Sequence, residues 1–246
     1  MSLTPLELER YDRQIRISEW GVEKQKKLKK AKVVVAGIGG LGGLAALYLT
    51  AAGIGKIVLI DKGKFELSNL NRQILGWKKD IGRFKVEAAK EKLGELNPET
   101  KIETKIEEIT EENVGSLIEN ANVVVDGMDN WKTRFILNKY CVLKKIPFVH
   151  AGVSEFHGQI TTIMPEEGPC LRCILPRNPP EKEKVPVVGV TPALFASLQA
   201  MEAIKIIIGI GKPLVGKMLF IDGKEMIFET VRVEKMPDCP ICGEKS

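Results

Sequence analysis

A glycine-rich segment, two cationic residues and one acid are the residues of this chain whose types and spacing suit chemistry. Residues 37–42 read Gly-Ile-Gly-Gly-Leu-Gly, and Arg72, Lys85 and Asp129 follow. Glycines allow a backbone to approach phosphate closely, cationic side chains neutralise phosphate oxygens, and a carboxylate binds Mg²⁺. This combination predicts a site for a triphosphate and its metal, because hydride transfer has no use for such a charge cluster.

The glycine-rich segment lies in the sequence context of a nucleotide-binding turn. An apolar run at 32–37 predicts a buried strand, and small residues at 40–53 predict a helix. The free N–H groups at the start of such a helix bind phosphate. Asp61 ends the next apolar run, about 20 residues later, where an acid accepts hydrogen bonds from ribose hydroxyls. Four glycines are therefore candidate cofactor-binding positions: Gly37, Gly39, Gly40 and Gly42.

The charged residues are predicted to meet at one edge of a sheet. Arg72 lies in the long polar stretch 62–80, Lys85 opens the next helix, and Asp129 follows the apolar run 122–126. Ligands of open α/β sheets bind at the carboxyl ends of the strands, where these positions converge. Each of these residues alone has a simpler explanation: Arg72 or Lys85 could be a surface charge, and Asp129 could cap a helix. Their convergence favours chemistry on a polyphosphate.

Four of the five cysteines form two Cys-x-x-Cys pairs, Cys170 with Cys173 and Cys239 with Cys242. In a cytosolic protein such pairs favour metal over disulfide, and two of them complete a tetrahedral zinc site. A closed site with four thiolates leaves no position for substrate, so zinc would be structural. Two disulfides or redox pairs are the alternative. Cys141, in an apolar helical stretch, is predicted to be a buried core residue.

The elements that position these residues alternate between strand and helix up to about residue 152, which predicts a parallel, doubly wound sheet. Beyond it we predict an antiparallel strand at 158–164, a helix at 192–209 and a hairpin turning at Asp222-Gly223. The predicted fold class is α/β, a Rossmann-like doubly wound, mainly parallel sheet with an antiparallel C-terminal extension and a pair of zinc knuckles. One domain over 1–246 would comprise N-terminal helices (1–30), a nucleotide-binding part (31–152) and the extension with its Cys₄ site (153–246).

The bulk composition argues against several classes of protein. A net charge of +5 over 246 residues falls short of a nucleic-acid-binding signature. Residues 1–10 carry no apolar stretch, so no signal peptide is expected. The apolar runs at 45–60 and 198–210 are broken by Gly, Lys or Glu, so neither is predicted to span a bilayer. We expect a cytoplasmic protein with no membrane or nucleic-acid partner.

The two histidines are not needed for the predicted chemistry. His150 ends the predicted strand 147–152, and a hydrogen-bonded structural role is favoured over a catalytic one. His157-Gly158 is interpreted as a turn.

The motifs together resemble one family, the ubiquitin-activating-enzyme-like adenylyltransferases that include MoeB, ThiF and HesA. The resemblance covers nearly the whole chain. It implies ATP-dependent adenylation of the C-terminal glycine of a ubiquitin-like sulfur-carrier protein, with release of pyrophosphate. The matching segments are residues 10–14, 37–42, 61 with 68–73, 82–85, 126–130 and 198–205, and the two cysteine pairs.

The resemblance also implies roles for individual residues. Asp61 would bind the ribose, and Asp129 would bind Mg²⁺. Arg13 would reach across a two-fold interface into the site of a partner subunit, which implies a homodimer. Four side chains would line the phosphates: Asn69, Arg72, Gln73 and Lys85. The implied catalytic set is Arg13, Arg72, Lys85 and Asp129.

The chain departs from some relatives in its sulfur chemistry. Several carry a cysteine after the first zinc pair that bonds covalently to the carrier, whereas residues 176–191 contain none. The chain ends at Ser246 without a rhodanese-type domain, so we expect a separate sulfur donor protein. The Pro-rich stretch 176–188 is interpreted either as a clamp for the carrier tail or as disordered. Carriers of the molybdopterin, thiamine and tRNA-thiolation types all fit.

Two other functions stay open at this point. An NAD-dependent Rossmann oxidoreductase explains the glycines and Asp61, but leaves Arg72, Lys85 and Asp129 without a role. A tRNA threonylcarbamoyladenosine dehydratase-like enzyme would also use ATP. The zinc knuckles and the modest net charge count against that second alternative.

Overall fold

The strands in the part of the chain that the structure describes form a single sheet. The computed structural model describes residues 2–180 and 185–243. The strands are β1 (Lys32–Ala36), β2 (Lys56–Ile60), β3 (Lys101–Lys105), β4 (Val123–Asp126), β5 (Phe148–Ser154), β6 (His157–Ile163), β7 (Lys217–Asp222) and β8 (Ile227–Arg232). They form an eight-stranded sheet in the order β3-β2-β1-β4-β5-β6-β7-β8.

Helices cover both faces of this sheet. They are α1 (Pro5–Arg10), α2 (Asp12–Ile15), α3 (Gly21–Lys30), α4 (Gly42–Ala52), α5 (Lys85–Leu96), α6 (Val114–Ile118), α7 (Trp131–Leu143), α8 (Leu171–Ile174) and α9 (Val190–Ile208). Strands β1 to β5 pair in parallel, and β6 to β8 continue the sheet in antiparallel pairs. The predicted fold class is confirmed, since a mainly parallel sheet carries an antiparallel C-terminal extension.

The central strands β1, β2 and β4 have apolar interiors, and both of their faces are buried. Val33 and Val35 belong to the core beneath α4 and α9, whereas Val34 and Ala36 belong to the core beneath α6 and α7. Successive side chains of a strand point to opposite faces, so one apolar run supplies both layers. Burial of this kind fixes the register, which pairs Val34 with Val58 in β2 and with Val124 in β4.

Helix α9 is the one described helix that is long and apolar enough to cross a membrane. Half of that apolar stretch is buried within the protein. The helix packs against α4 and against β4, β5 and β6. Its Phe195 and Ala196 are fully buried in the core. Packing of this kind is how a core helix passes the same test of length and composition.

Two sequence-based expectations about turns are wrong. His157 and Gly158 lie inside β6, and the chain reverses at Glu155, whose φ is 52°. The β7–β8 turn is also longer than Asp222-Gly223, because Asp222 pairs with Ile227. The Asp222 carboxylate accepts hydrogen bonds from the backbone N–H groups of the two residues that follow Gly223, so a side chain builds this turn.

The two interpretations of the stretch 176–188 concern, in part, residues 181–184, which lie outside the described residues. The described end of the stretch is held against the β5–β6 turn. Val187 forms a bridge to Glu155, and the Val188 N–H donates to the Glu155 carbonyl at 3.2 Å.

Candidate active site

A broad cleft opens at the carboxyl ends of the parallel strands. Strand order reverses between β1 and β4, since β1 leads through α4 to β2 on one side and β4 lies on the other. Ligands of doubly wound sheets bind at such a switch point. The cleft encloses about 1430 Å³. Typical ligand pockets measure roughly 300–1,000 Å³, so this cleft has room for a nucleotide and part of a second substrate.

The two loops that meet at this point touch backbone to backbone. A Cβ on Gly37 would lie 2.6 Å from the Gly127 carbonyl oxygen, and a Cβ on Gly42 would collide with the Gly37 carbonyl. Gly37 also has a φ of 87°, a conformation that favours glycine. Helix α4 begins at Gly42 with no side-chain cap. The Gly43 N–H donates to the Gly39 carbonyl at 3.1 Å, and the N–H groups of Gly42 and Leu44 stay available to an anion.

Asp61 ties the glycine turn to the end of β2. One carboxylate oxygen accepts the Ile38 N–H at 2.7 Å, and the other accepts the Gly63 N–H at 2.6 Å. A Cβ built on Gly63 would lie 3.0 Å from the Asp61 carboxylate and 3.6 Å from Lys85 Nζ. The predicted ribose-binding acid and the predicted phosphate-binding lysine thus flank the same glycine.

The turn that carries the other predicted phosphate ligands lies across from the glycines. Asn69 is buried, and its Oδ1 accepts the Glu66 N–H at 3.1 Å. Gln73 is also buried, and its Oε1 has no hydrogen-bond partner among the described residues. A buried polar atom that lines a cleft and lacks a partner suits a site that binds a polar ligand. Arg72 donates to the Ser68 carbonyl at 2.9 Å.

The structure brings most of the predicted site residues together. The residues that line the cleft include Gly37, Gly39, Gly40, Asp61, Asn69, Arg72, Gln73, Lys85 and Asp129. Gly42 lies behind them, where helix α4 starts. Arg13 is the exception, because it is exposed on α2 and does not line the cleft of its own chain.

Asp129 does not cap helix α7. The cap is Asn130, whose side chain accepts the Thr133 N–H at 2.9 Å. The Asp129 carboxylate is exposed and forms no ion pair with any described residue. Its one side-chain neighbour at hydrogen-bond distance in the described chain is the Asn130 amide, at 3.5 Å. The carboxylate is therefore available to a cation in the cleft.

A buried polar network beneath the cleft was not identified from the sequence as functional. Asp126, the last residue of β4, contacts Arg134 of α7 and His150 of β5, and all three are buried. Burial lowers the pKa of His150, against the effect of its hydrogen bond to Asp126. His150 is thus hydrogen-bonded, as expected, and it is also fully buried. The sequence does contain one signal of this network, which is Asp126 at the end of an apolar run. An acid in a buried strand is costly to desolvate, so it is seldom found there without a partner.

The four cysteines of the two pairs converge as predicted. Their sulfur atoms all lie within 4.8 Å of one another, with Cys170 to Cys239 at 3.7 Å and Cys173 to Cys242 at 3.4 Å. Zinc with Zn–S bonds of about 2.3 Å in a tetrahedron places its sulfurs roughly 3.8 Å apart, so the residues fit the ion. Cys141 is fully buried elsewhere in the core.

The surroundings of Cys239 lower the pKa of its thiol. Burial acts to raise the pKa of Cys239, but hydrogen bonds from the backbone of Cys242 and Ile241 and from neighbouring thiols outweigh it and lower the pKa to about 7. The thiolate is the form that binds metal. The Met236 N–H also points at Cys173 Sγ, at 3.4 Å, as expected for a backbone that supports a thiolate ligand.

Comparison with known proteins places the chain in a family. The ThiF family profile matches residues 11–241. The chain is 41% identical to the SAMP-activating enzyme E1 of Haloferax volcanii over 99% of this chain and 92% of that protein. It is 40% identical to the sulfur carrier protein adenylyltransferase of Thermus thermophilus over 100% of this chain and 94% of that protein.

Solved structures agree with these relatives. The crystal structure of E. coli MccB with ATP superposes with a TM-score of 0.86 and 29% sequence identity, over 96% of this chain and 75% of that chain. MccB with MccA-N7isoASN gives a TM-score of 0.88 and 28% identity, with the same coverage. Because the profile matches most of this chain and the two relatives match over nearly their full lengths, the chain belongs to the ThiF family, which confirms the resemblance drawn from its motifs.

Proposed function

We propose that the protein uses ATP to adenylate the C-terminal carboxylate of a ubiquitin-like sulfur-carrier protein. The single observation that carries this proposal is the convergence of Arg72, Lys85 and Asp129 on an uncapped glycine turn at the switch point of the sheet. The names of the two relatives, a SAMP-activating enzyme and a sulfur carrier protein adenylyltransferase, support it. The MccB structure with ATP supports the choice of nucleotide.

The proposed step needs no general base. A C-terminal carboxylate is already ionised at neutral pH, so its oxygen attacks the α-phosphorus of ATP directly. A bond forms between that oxygen and the phosphorus, the bond from the α-phosphorus to the bridging oxygen breaks, and pyrophosphate leaves. Repulsion between the negative nucleophile and the triphosphate is the main barrier. Lys85 and Arg72 lower it by placing positive charge beside the phosphate oxygens.

Asp129 is the proposed holder of Mg²⁺. Its carboxylate is exposed to the cleft, and a hard cation prefers such oxygen ligands. The ion would neutralise charge on the phosphate oxygens. The four cysteines of the C-terminal extension are the proposed holders of structural Zn²⁺, which would join α8 to residues 239–242.

Arg13 enters this proposal only through a second subunit. It lies outside the cleft of its own chain, on an exposed face of α2. We propose a homodimer in which the Arg13 of each subunit completes the other's site. Because residues 176–191 lack cysteine, we also propose that a separate sulfur donor acts on the acyl-adenylate, and that both reactions are cytoplasmic.

The test is pyrophosphate exchange into ATP with each Gly-Gly-ended carrier from the same genome. Exchange should require one intact carrier, and deletion of that carrier's last glycine should abolish it. A binding measurement separates the alternatives: enhanced NADH fluorescence without ATP binding would favour an oxidoreductase. Absence of exchange with every carrier, together with turnover of threonylcarbamoyladenosine tRNA, would favour the dehydratase instead.

A further inference from the structure

The buried network of Asp126, Arg134 and His150 lies between two loops that line the cleft. One is the Asp129 loop, defined as residues 126–130 after β4. The other is the β5 end, defined as residues 151–154. Asp126 and His150 are 0% exposed, and Arg134 is 7% exposed. A buried acid and a buried guanidinium are costly to desolvate, so their retention under a cleft calls for a physical reason.

The Asp126 carboxylate is held from three directions. Its Oδ1 accepts the Met128 N–H at 2.9 Å, which shapes the Asp129 loop. Its Oδ2 lies 2.6 Å from His150 Nδ1 and 3.3 Å from Arg134 Nε. The arginine contact is an ion pair at that distance without the geometry of a hydrogen bond.

Arg134 joins the two loops directly. One terminal nitrogen of its guanidinium donates to the Met128 carbonyl at 2.5 Å and to the Ala151 carbonyl at 3.2 Å. The other terminal nitrogen lies 3.7 Å from the Cβ position of Gly152. The guanidinium also packs over the Trp131 ring, with Cζ 4.8 Å from the ring centroid. It is a bridge from the Asp129 loop to the β5 end.

The bridged loops serve different parts of the cleft. The Asp129 loop faces the glycine turn, because β4 lies next to β1. The β5 end lies one strand further along, where Gly152, Ser154, His157, Gln159 and Phe220 also line the cleft. A nucleotide at the glycine turn leaves this second part for the other reactant.

We propose that Arg134 is a positioning residue, which fixes the spacing between the Asp129 loop and the β5 end and thereby aligns the acceptor carboxylate with the α-phosphorus. This inference rests on the proposed function. Asp126 holds the guanidinium from below, and His150 in turn holds the Asp126 carboxylate. A displacement of about 1 Å between reacting groups costs roughly a hundredfold in rate, so the bridge acts on turnover and not on nucleotide affinity.

The experiment compares Arg134→Met, which removes the donors and the charge, with Arg134→Lys, which keeps the charge. For each we would measure kcat and KM for the carrier in pyrophosphate exchange, and the Kd of ATP by calorimetry. We expect kcat to fall about a hundredfold in both variants, with the Kd of ATP within about threefold of wild type. Lysine should not rescue, since its single ammonium cannot replace both the terminal nitrogen that donates to the two carbonyls and the Nε that pairs with Asp126.

Three further variants separate positioning from loss of stability. His150→Asn keeps a donor near Asp126 and should retain much of kcat, whereas His150→Leu should not. Thr162→Val removes a different buried hydrogen bond, from Thr162 Oγ1 to Glu202 at 2.6 Å, outside the cleft. It should lower the melting temperature and leave kcat unchanged.

Hydrogen exchange provides a readout that does not depend on the reaction. In Arg134→Met, or in Arg134→Lys if the first variant does not fold, amides of both bridged loops should exchange at least tenfold faster. Those of β3, at the far edge of the sheet, should not change. If the wild type shows no carrier-dependent pyrophosphate exchange, the proposed function is rejected. Hydrogen exchange of the loop amides would still test whether Arg134 bridges the two loops. Full kcat in Arg134→Lys, equal losses in kcat and ATP affinity, or unchanged amide exchange would overturn the inference.

Discussion

Lys85 is the cation whose removal should best separate chemistry from folding. Its side chain forms no hydrogen bond or ion pair with any described residue, so its removal breaks no such internal contact. We expect Lys85→Ala to reduce pyrophosphate exchange by about a hundredfold or more, as loss of one preorganised charge does. Lys90→Ala is the matched control, because Lys90 is exposed on the same helix outside the cleft. Near wild-type exchange in Lys85→Ala, at an unchanged melting temperature, would contradict the assigned role.

Asp129 and Asn130 are neighbours with separable roles. Asp129→Asn should lower exchange at ordinary Mg²⁺ and recover in part as Mg²⁺ is raised, because a neutral amide binds the cation more weakly. Asn130→Ala should cost about 1 kcal/mol of stability through loss of the cap of α7. Titration of activity against Mg²⁺ tests the role of Asp129 in binding the ion, and chemical denaturation of both variants tests the role of Asn130 as a cap. Equal Mg²⁺ dependence in Asp129→Asn and wild type would place the ion elsewhere.

At the scale of elements, two helices end in the same way but in different surroundings. Helix α4 ends at Gly53 with φ 91°, and α9 ends at Gly209 with φ 68°. A Cβ on Gly53 would lie 2.6 Å from the Tyr11 ring, whereas a Cβ on Gly209 meets nothing within 4 Å. Gly209→Ala should cost about 1–2 kcal/mol for the left-handed conformation alone. Gly53→Ala should cost more, because N-terminal residues must shift. Equal losses in denaturant unfolding would show that Tyr11 moves freely.

Strand β3 carries an acid whose charge supports the sheet edge. Lys56 and Lys101 each hold a Glu103 oxygen at 2.9 Å, and these hydrogen bonds lower the pKa of Glu103 from 4.5 to about 2. A depressed folded pKa stabilises the protein above the unfolded pKa, and that contribution disappears as the pH falls from 4.5 towards 2. Since Glu103 is partly exposed, Glu103→Gln should cost only about 0.5–1 kcal/mol at neutral pH.

Denaturant unfolding at pH 7 and at pH 3 measures this contribution. The difference between Glu103→Gln and wild type should shrink at the lower pH, whereas Glu99→Gln, at an exposed acid in the loop before β3, should show little difference at either. A cost that is independent of pH would mean that the carboxylate charge is not involved.

Local patterns predicted the elements well, and long-range contacts explain the exceptions. The apolar runs at β1, β2 and β4 and the glycine after α4 could be interpreted from neighbouring residues alone. The hairpin turn was misplaced because the Asp222 side chain, rather than a two-residue glycine turn, closes it. The Arg134 bridge was missed because it joins carbonyls that are distant in sequence, and no local spacing marks such a contact. The sequence offers both Asp129 and Asn130 as the N-terminal cap of α7, and only the hydrogen bond from the Thr133 N–H identifies Asn130 as the cap.

At the scale of the whole molecule, the proposed dimer makes a quantitative prediction. Arg13→Ala and Lys85→Ala should each be inactive alone. The first change removes a residue from the partner's site, and the second removes a residue from the subunit's own site. In a mixed dimer, the subunit that keeps Lys85 receives an intact Arg13 from its partner, so one of the two sites is complete. Random reassociation of equal amounts should restore about a quarter of wild-type exchange. Mixtures of Lys85→Ala with Asp129→Asn are the control, because both changes fall in the same site. No recovery in the first mixture would mean that Arg13 does not act across subunits.

The contact between Gly37, Gly42 and Gly127 limits how the protein can diversify. Where two main chains touch with no room for a methyl group, point substitution cannot widen or narrow the gap by small steps. The backbone at that end of the cleft therefore tolerates little substitution. Selectivity for the acceptor must instead change through the side chains beside β5 to β7. Engineering that seeks a new acceptor should therefore randomise Ser154, Gln159 and Phe220 and leave the glycines untouched.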